Sequence, residues 1–428
     1  MRRAHPRRVS RCAQTARGGL TLRIALFENL PPGGALRAAY EIGRELVTRG
    51  HEIHLFRLSV PHNKGPFDIA QYAASVHTTP FSPLFGLLDW RVRQYKFAPR
   101  SHNLFGPLKR AHRKVAHQIR EGKYDVVFVH HDALTQGPYV LRWLPLEPTV
   151  YYCQEPPRYA SERSILESHR RHLARPPKVL GWGRLLEDRL VLDRLAHEDY
   201  LNARVAKTIL VNSVYSRERV WAAYAKPSVL CYLGIDATRF SPPPAGSQRR
   251  REVLSVGLPV AAKGHEVVVE ALGILPAESR PSMRLILPRY DGTARIEQLA
   301  KNLGVRVDIQ VSVDEDKFVE CYRSAIATIC AARLEPFGLT PIESMGCGTP
   351  VVAIREGGYR ETVVDGANGF LVEPDAESLA EAISKLANDP ALVETMGSQG
   401  RRDVAERWTW RRTGDQVEAI LEGTRQKS

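Results

Sequence analysis

Two glutamates eight positions apart stand in residues 332–372, which read ARLEPFGLTPIESMGCGTPVVAIREGGYRETVVDGANGFLV. The pattern places Glu335 in a loop between a strand and a helix, and Glu343 about two turns along that helix. The backbone amides of Gly338, Leu339 and Thr340 then lie at the helix N-terminus, where amide groups and the helix dipole favour a phosphate. Carboxylates beside such a site are suited to binding the hydroxyls of a ribose or a hexose. The structural alternative is a Glu335 that caps the helix and a solvated Glu343.

Alternating strands and helices must position these residues. Residues 22–27 (LRIALF) predict a first strand, the amphipathic residues 35–50 a helix that stops at Gly50, and residues 52–58 a second strand. A strand, helix and strand within about 40 residues form a βαβ unit and imply a parallel sheet. Further strands are predicted at residues 125–131, 149–153 and 208–213.

A Pro-rich segment within residues 231–247 predicts a linker, after which the alternation restarts. The second half is expected to form a doubly wound α/β domain, like the first, so that two ligand sites at strand carboxyl ends share one cleft. Strands are predicted at 252–257, 283–288, 307–313, 325–331 and 349–354, and helices at 264–275, 293–303, 315–325 and 339–346.

The Glu335–Glu343 pair, the PFGLTPIE between them, and the GTPVVA and GGYRETVVDGANGFLV that follow strongly resemble the family-four glycosyltransferases of GT-B fold. The resemblance runs from about residue 22 to residue 420. It implies two Rossmann-like domains that face a cleft, and a C-terminal helix that crosses back to the first domain. The implied division is an acceptor-side domain (21–240), a nucleotide-sugar domain (241–408) and the returning helix (409–428). Residues 1–20 are expected to form a disordered basic extension, unless the start codon is placed too far upstream.

The resemblance also implies roles for the residues of the second domain. Glu343 would bind the ribose hydroxyls of the donor, Glu335 the hydroxyls of the transferred sugar, and Lys263 the diphosphate, whose developing charge the lysine would stabilise. Leu258 follows Gly257, where family members usually carry an arginine, and Arg289 is an alternative cation. The donor-binding set is completed by Phe337, Gly338, Leu339 and Thr340.

In the first half, Gly33 and Gly34 resemble the family's Gly-Gly loop, whose amides would reach across the cleft, although a plain tight turn has the same sequence pattern. The strand VVFVHHDAL resembles one that ends in a histidine near the transferred sugar. We align His130 with that histidine and keep His131 as the alternative. Residues 151–161 (YYCQEPPRYAS) offer Tyr152, Arg158 and Tyr159 to an acceptor, or form a rigid Pro-Pro loop.

The implied reaction is a retaining transfer of a hexose, with mannose favoured, from a nucleotide-diphosphate sugar to a glycan or lipid-linked acceptor of surface polysaccharide or glycolipid synthesis. His130, Lys263 and Glu335 would be the catalytic residues. The resemblance implies front-face attack, in which the departing phosphate oxygen helps to deprotonate the acceptor. No cofactor is expected, and no metal. An epimerase, or a nucleotide-sugar-binding protein without transferase activity, is the other class considered.

Charge is distributed unevenly along the chain. Residues 1–250 hold 40 Lys and Arg against 20 Asp and Glu, whereas residues 251–428 hold 21 against 27. Residues 81–120 alone hold nine Lys and Arg and one acidic residue, interleaved with Phe81, Phe85, Trp90, Tyr95, Phe97 and Phe105. This composition favours an anionic membrane surface, with a solvated and partly packed insertion as the alternative.

No recognition motif points to nucleic acid. The cysteines show no metal or disulfide spacing, and the basic N-terminus is not followed by the apolar h-region of a secretory signal. We therefore expect a cytoplasmic protein, with a peripheral position on the inner face of the plasma membrane if the membrane interpretation holds.

Overall fold

Two parallel β-sheets flanked by helices form the protein. The computed structural model describes residues 20–59, 66–81, 102–133, 135–155, 193–244, 246–288 and 292–425. The predicted basic extension (apart from Leu20), most of the interleaved aromatic residues of 81–120, and Arg158, Tyr159 and Arg289 lie outside these ranges.

The first sheet has seven parallel strands in the order β3-β2-β1-β4-β5-β6-β7. Its central strands are apolar on both faces, as expected for a parallel sheet that helices cover on two sides. β1 pairs with both β2 and β4, with Leu26 opposite Leu55 and Phe128. The strands are β1 (Arg23–Asn29), β2 (Glu52–Ser59), β3 (Ser75–Pro80), β4 (Val126–Asp132), β5 (Thr149–Tyr152), β6 (Thr208–Val211) and β7 (Val229–Leu230).

Within the described residues of the first half, the helices that accompany this sheet are α1 (Gly34–Thr48), α2 (His102–Gly122), α3 (193–203) and α4 (Val214–Tyr224). α1 begins directly after the predicted Gly-Gly loop, so its N-terminus lies at the carboxyl end of β1. α4 begins just after β6, and Ser213 is its N-cap, accepting a hydrogen bond from the amide of Ser216.

The second sheet has six parallel strands in the order β10-β9-β8-β11-β12-β13. β8 and β11 lie side by side at its centre, so the loops that follow them meet at one edge. The strands are β8 (Glu252–Val256), β9 (Ser282–Leu287), β10 (Val307–Val311), β11 (Ala327–Cys330), β12 (Val351–Ile354) and β13 (Gly369–Val372). The helices are α5 (His265–Ile274), α6 (Ala294–Leu303), α7 (Glu315–Ser324), α8 (Leu339–Gly346), α9 (Tyr359–Thr362), α10 (Ala376–Asn388), α11 (Pro390–Arg407) and α12 (Trp410–Thr424).

The chain passes between the two sheets at two places that touch each other. Ile235, after β7, forms a parallel bridge with Thr409, just before α12. A Cβ atom at Gly234 would lie 2.1 Å from the Thr409 carbonyl carbon, so only glycine permits this approach. α12 then packs against α1, β4 and β5 of the first sheet. The predicted return of the last helix to the first domain is therefore confirmed.

Candidate functional site

The loop between β11 and α8 carries Glu335 and has an irregular backbone. Leu334 and Gly338 both have positive φ angles, 53° and 85°. A Cβ atom at Gly338 would also lie 2.6 Å from the Tyr359 ring, so glycine is required there by conformation and by space. We call residues 331–338 the donor loop. The loop ends at Gly338, directly before α8, so Glu335 lies between a strand and a helix as the sequence predicts.

Lys263 reaches the donor loop from the neighbouring β8–α5 connection. It is the last residue of a short 3-10 turn, Ala261–Lys263, and its Nζ donates a hydrogen bond of 2.7 Å to Glu335 Oε2. Both side chains are partly exposed. The predicted residues Lys263, Glu335, Gly338, Leu339 and Thr340 together line one pocket. Cationic, carboxylate and helix-terminal amide groups thus converge on one point, where they can bind a phosphate and sugar hydroxyls.

His265 holds the turn where Leu258 replaces the arginine of the family pattern. Its Nε2 donates to the Leu258 carbonyl (3.1 Å), while its Nδ1 accepts from Ser255 Oγ (2.9 Å). Burial lowers the pKa of His265 to about 4, so the ring is neutral near pH 7. His265 therefore orders the turn but supplies no positive charge in place of the missing arginine.

Glu343 is buried, not solvated, and both of its carboxylate oxygens accept hydrogen bonds. Oε1 accepts from Nη1 of Arg37 at 2.5 Å, and Oε2 accepts from the hydroxyl of Tyr322 at 2.7 Å. Burial, reinforced by the neighbouring carboxylate, raises the pKa of Tyr322 well above its usual value, so this hydroxyl remains a donor. Arg37 belongs to α1, and the ion pair consequently joins the two halves of the molecule across the cleft.

Sequence reasoning missed Arg37, although the chain offers a signal for it. The residue lies one turn into α1, where the positive end of the helix dipole disfavours a cation. An arginine in that place indicates an anionic partner outside the helix. Its guanidinium also lies over the rings of Phe67 and Phe240, with distances of 5.6 Å and 5.0 Å to the ring centres.

The Gly33–Gly34 loop touches the second half directly. A Cβ atom at Gly34 would lie 3.3 Å from Cδ1 of Leu339, the first residue of α8. The N-termini of α1 and α8 therefore face each other across the cleft. This proximity is what the resemblance implies for the Gly-Gly loop, and a contact with a phosphate or an acceptor stays a prediction.

The two candidate histidines lie at the carboxyl end of β4. His130 is fully buried beside the rings of Phe128 and Tyr152, and neither of its ring nitrogens has a hydrogen-bond partner among the described residues. Burial lowers the pKa of His130 to about 3 and that of His131 to about 4, so both rings are neutral near pH 7. A neutral ring with free nitrogens can donate to or accept from a sugar hydroxyl. The choice between the two stays a prediction.

Two predicted site residues point their side chains elsewhere. Tyr152 is fully buried, and its hydroxyl donates to the Cys231 carbonyl at 2.6 Å, so its predicted contact with an acceptor is wrong. The reason is that β5 is covered on both faces, which leaves neither Tyr151 nor Tyr152 exposed. The ring of Phe337 packs against Tyr232 and Trp408, so only its backbone remains near the pocket.

Residues 102–122 of the basic stretch form α2. One face of this helix exposes Arg110, Arg113, Lys114 and Arg120, which we call the α2 basic face. Phe105 is buried in the core, as the alternative of a partly packed insertion predicts, and its ring is not available to a membrane surface. Within the part of the chain that the structure describes, no helix is long and apolar enough to cross a membrane.

The described residues contain no group of three or more His, Cys, Asp or Glu side chains arranged to hold a metal ion. The expectation that no metal or cofactor is required stays a prediction.

Two family models match the chain in succession. Residues 32–239 match the model described as Glycosyltransferase Family 4, and residues 238–403 match the one described as Glycosyl transferases group 1. Among curated proteins, the chain is 28% identical to a GDP-mannose-dependent alpha-(1-6)-phosphatidylinositol monomannoside mannosyltransferase of Mycolicibacterium smegmatis, over 63% of this chain and 72% of that protein. It is 27% identical to a D-inositol 3-phosphate glycosyltransferase of Xylanimonas cellulosilytica, over 88% of each.

Solved structures share the fold over nearly the whole length. Sucrose-phosphate synthase from Thermosynechococcus elongatus is similar with a TM-score of 0.72 and 22% identity, over 94% of this chain and 98% of that one. Anabaena Alr3699/HepE, solved in complex with UDP-glucose, is similar with a TM-score of 0.67 and 20% identity, over 94% of this chain and all of that one.

Proposed function

We propose, from the premise that the chain belongs to the family-four glycosyltransferases of GT-B fold, that it transfers a hexose from a nucleotide-diphosphate sugar with retention of configuration. The observation that carries the proposal is the pocket at the N-terminus of α8, where Lys263 and Glu335 meet the first amides of that helix. The pocket combines the groups that bind a diphosphate with a carboxylate that binds hydroxyls.

Each part of the donor then has a partner. The amides of Gly338, Leu339 and Thr340 and the ammonium of Lys263 would bind the diphosphate. Glu335, which accepts from Lys263, would accept from hydroxyls of the transferred sugar, and Glu343 from those of the ribose. His130 would bind the sugar from the other side of the cleft.

The transfer step needs no nucleophile from the protein. The bond between the anomeric carbon and the phosphate oxygen breaks with its electron pair on that oxygen, and the acceptor oxygen forms the new bond on the same face. The acceptor proton passes to the departing phosphate. Lys263 and the amides of α8 stabilise the charge that develops there, and the closed cleft orients both reactants.

The transferred sugar is proposed to be a hexose, and mannose is the hexose that we favour. Support comes from the mannosyltransferase of Mycolicibacterium smegmatis, whose printed name specifies GDP-mannose, whereas the structure from Anabaena contains UDP-glucose. The names of the Mycolicibacterium smegmatis and Xylanimonas cellulosilytica relatives both contain an inositol compound, phosphatidylinositol monomannoside and D-inositol 3-phosphate. These names favour an acceptor that carries a phosphate or a lipid anchor.

Thermal-shift titration with UDP, GDP, UDP-glucose and GDP-mannose tests the donor site. One nucleotide and its sugar should raise the Tm of the wild type, and Glu343→Ala should abolish this shift because the ribose loses its carboxylate. Glu320→Ala, an exposed glutamate on α7, is the matched control and should retain the shift.

Turnover is then measured with the donor that binds, offering D-inositol 3-phosphate or phosphatidylinositol vesicles as acceptors. The anomeric configuration of the product, read by NMR, should match that of the donor. An inverted product would refute retention, and a wild type that binds none of the four compounds would refute the donor site itself.

We also propose that the protein is cytoplasmic and lies peripherally on an anionic membrane, through the α2 basic face. α2 carries one acidic residue, Glu121, and that carboxylate lies 3.2 Å from His117. Among the described residues, the four arginine and lysine side chains of the face are all exposed, which makes them accessible to phospholipid headgroups.

A further inference from the structure

A series of buried hydrogen bonds connects the first turn of α1, directly after the Gly-Gly loop, with the donor loop of the second domain. It begins at Gln154, at the carboxyl end of β5, whose Nε2 donates to the Ala35 carbonyl at 3.2 Å. The Gln154 carbonyl in turn accepts from Nδ2 of Asn212 at 3.1 Å, and Asn212 Oδ1 accepts from the hydroxyl of Ser216 at 2.8 Å. These polar side chains are at most 4% exposed.

Ser213 makes the hydrogen bond that connects this series to the second domain. Its Oγ accepts from the Ser216 amide at 2.8 Å and donates to the Pro336 carbonyl at 2.5 Å. As an N-cap, Ser213 needs only to accept a hydrogen bond. Its proton is therefore used outside its own helix, on the residue that follows Glu335.

The other side of the donor loop is fastened by residues 357–361. The Gly358 amide donates to the Glu335 carbonyl at 2.8 Å. Glu361 accepts from the amides of Val214 and Tyr215, at 2.9 Å and 3.1 Å, which are the first two residues of α4. The start of α4 is thus connected to the donor loop in two ways. Ser213 bonds the loop directly, and Glu361 links the first amides of α4 to the segment 357–361 that holds the loop.

We propose that Ser213 is a positioning residue of the transfer reaction, which places Glu335 by fixing the Pro336 carbonyl against the first domain. The donor loop has no regular secondary structure to hold Glu335, so it depends on contacts from outside. Because Ser213 and Pro336 belong to different halves, this contact couples the placement of the sugar-binding carboxylate to the arrangement of the two domains.

This inference rests on the proposed function, because it assigns to Glu335 the hydroxyls of the transferred sugar. It predicts a specific division of effects. The loss of the Ser213 hydroxyl leaves Glu343, Lys263 and the amides of α8 in place, so nucleoside diphosphate binding persists. A displaced Glu335 lowers the rate of the chemical step, where a misplacement of about 1 Å costs on the order of a hundredfold.

The test compares Ser213→Ala with Ser213→Thr, which keeps a hydroxyl, and with Asp375→Ala. Asp375 caps α10 by accepting from the Ser378 amide, so its loss removes a cap of the same kind outside the donor loop. Each cap loss should lower the Tm by roughly 2–4 °C. We measure kcat and KM for the donor, the Kd of GDP and UDP, and the Tm.

Ser213→Ala should lower kcat by ten- to a hundredfold with the Kd of the nucleoside diphosphate changed less than threefold, while Ser213→Thr and Asp375→Ala keep the wild-type kcat. A wild-type kcat in Ser213→Ala, or an equal loss of kcat in Asp375→Ala, would overturn the proposal. Should Ser213→Ala fail to fold, Ser213→Gly replaces it with the same expected loss of kcat, because glycine is better tolerated than alanine at an N-cap and also lacks the hydroxyl. A wild type that transfers no sugar refutes the proposed function, a result separate from either of these.

Discussion

Glu343 shows how a single residue can belong to a ligand site and to the domain interface together. Its carboxylate is buried, and Arg37 and Tyr322 each donate to one of its oxygens. Two vicinal ribose hydroxyls would need the same oxygens. Tyr322 is fully buried in the domain that holds Glu343, whereas Arg37 approaches from the other domain, so Arg37 is the partner that can leave.

Arg37→Gln should therefore bind the nucleoside diphosphate more tightly than the wild type, by several-fold in Kd, because the ribose no longer competes with a cation. The same substitution should lower the free energy of unfolding without nucleotide by about 3 kcal/mol, since a buried carboxylate loses its charged partner. Isothermal titration calorimetry and urea denaturation measure the two effects. Arg295→Gln, at an exposed arginine of α6 that lies 3.7 Å from Glu266, is the matched control and should change neither. Weaker nucleotide binding by Arg37→Gln would indicate that Arg37 itself binds the nucleotide. It would contradict the prediction that Arg37 and the ribose compete for Glu343.

At the scale of elements, the turn between β12 and α9 determines the path of the donor loop. Gly358 has ordinary helical angles, with φ −71° and ψ −12°, so an alanine would fit its backbone conformation. A Cβ atom there would nevertheless lie 2.5 Å from the Pro336 carbonyl oxygen and 2.6 Å from the Phe337 Cα. Both are backbone atoms that a side-chain rotation cannot move away.

Gly358→Ala should accordingly displace the donor loop and lower kcat/KM by about a hundredfold, with a loss of roughly 1–3 kcal/mol in the free energy of unfolding. Initial rates with the identified donor and urea denaturation measure these quantities. Gly423→Ala is the control, because a Cβ atom at Gly423, near the end of α12, meets open space. Wild-type rates in Gly358→Ala would show that the donor loop tolerates displacement.

The strongly patterned elements could be predicted from the sequence, because local rules determine them. β8, β11 and α8 combine apolar runs with glycine punctuation, and the GT-B fold implied by their motifs is confirmed. β3 (SVHTTP) and the two-residue β7 lack such a pattern and were not predicted. α2 was not predicted either, because its many basic residues obscure the helical periodicity of its apolar residues.

The contacts between distant residues could not be predicted. Arg37 and Glu343 are 306 positions apart, and Ser213 and Pro336 are 123 apart. Their proximity follows from the packing of two domains, and no local spacing encodes it. The motifs therefore predicted which residues meet at the N-terminus of α8, whereas the residues that connect the two halves required the structure.

At the scale of the whole molecule, the two halves differ in charge. The first 250 residues carry an excess of 20 positive charges, and the remaining residues an excess of six negative charges. Such an asymmetry would orient the protein with its first domain toward an anionic surface. The α2 basic face is the described part of that domain where several cations lie side by side.

Replacing Arg110, Arg113, Lys114 and Arg120 by serine should reduce binding to vesicles that contain phosphatidylglycerol at least tenfold, because each cation near such a surface contributes about 1 kcal/mol. Co-sedimentation at low and high salt measures the effect, which salt should screen. The control variant replaces four exposed cations of the second domain by serine, and so removes the same total charge from the domain that carries the negative excess. These residues are Arg295, Lys301, Lys317 and Arg402. Equal loss of binding in both variants would indicate an effect of net charge alone. Wild-type recovery that is the same with phosphatidylcholine as with phosphatidylglycerol would refute the membrane proposal, because electrostatic attraction requires the anionic lipid.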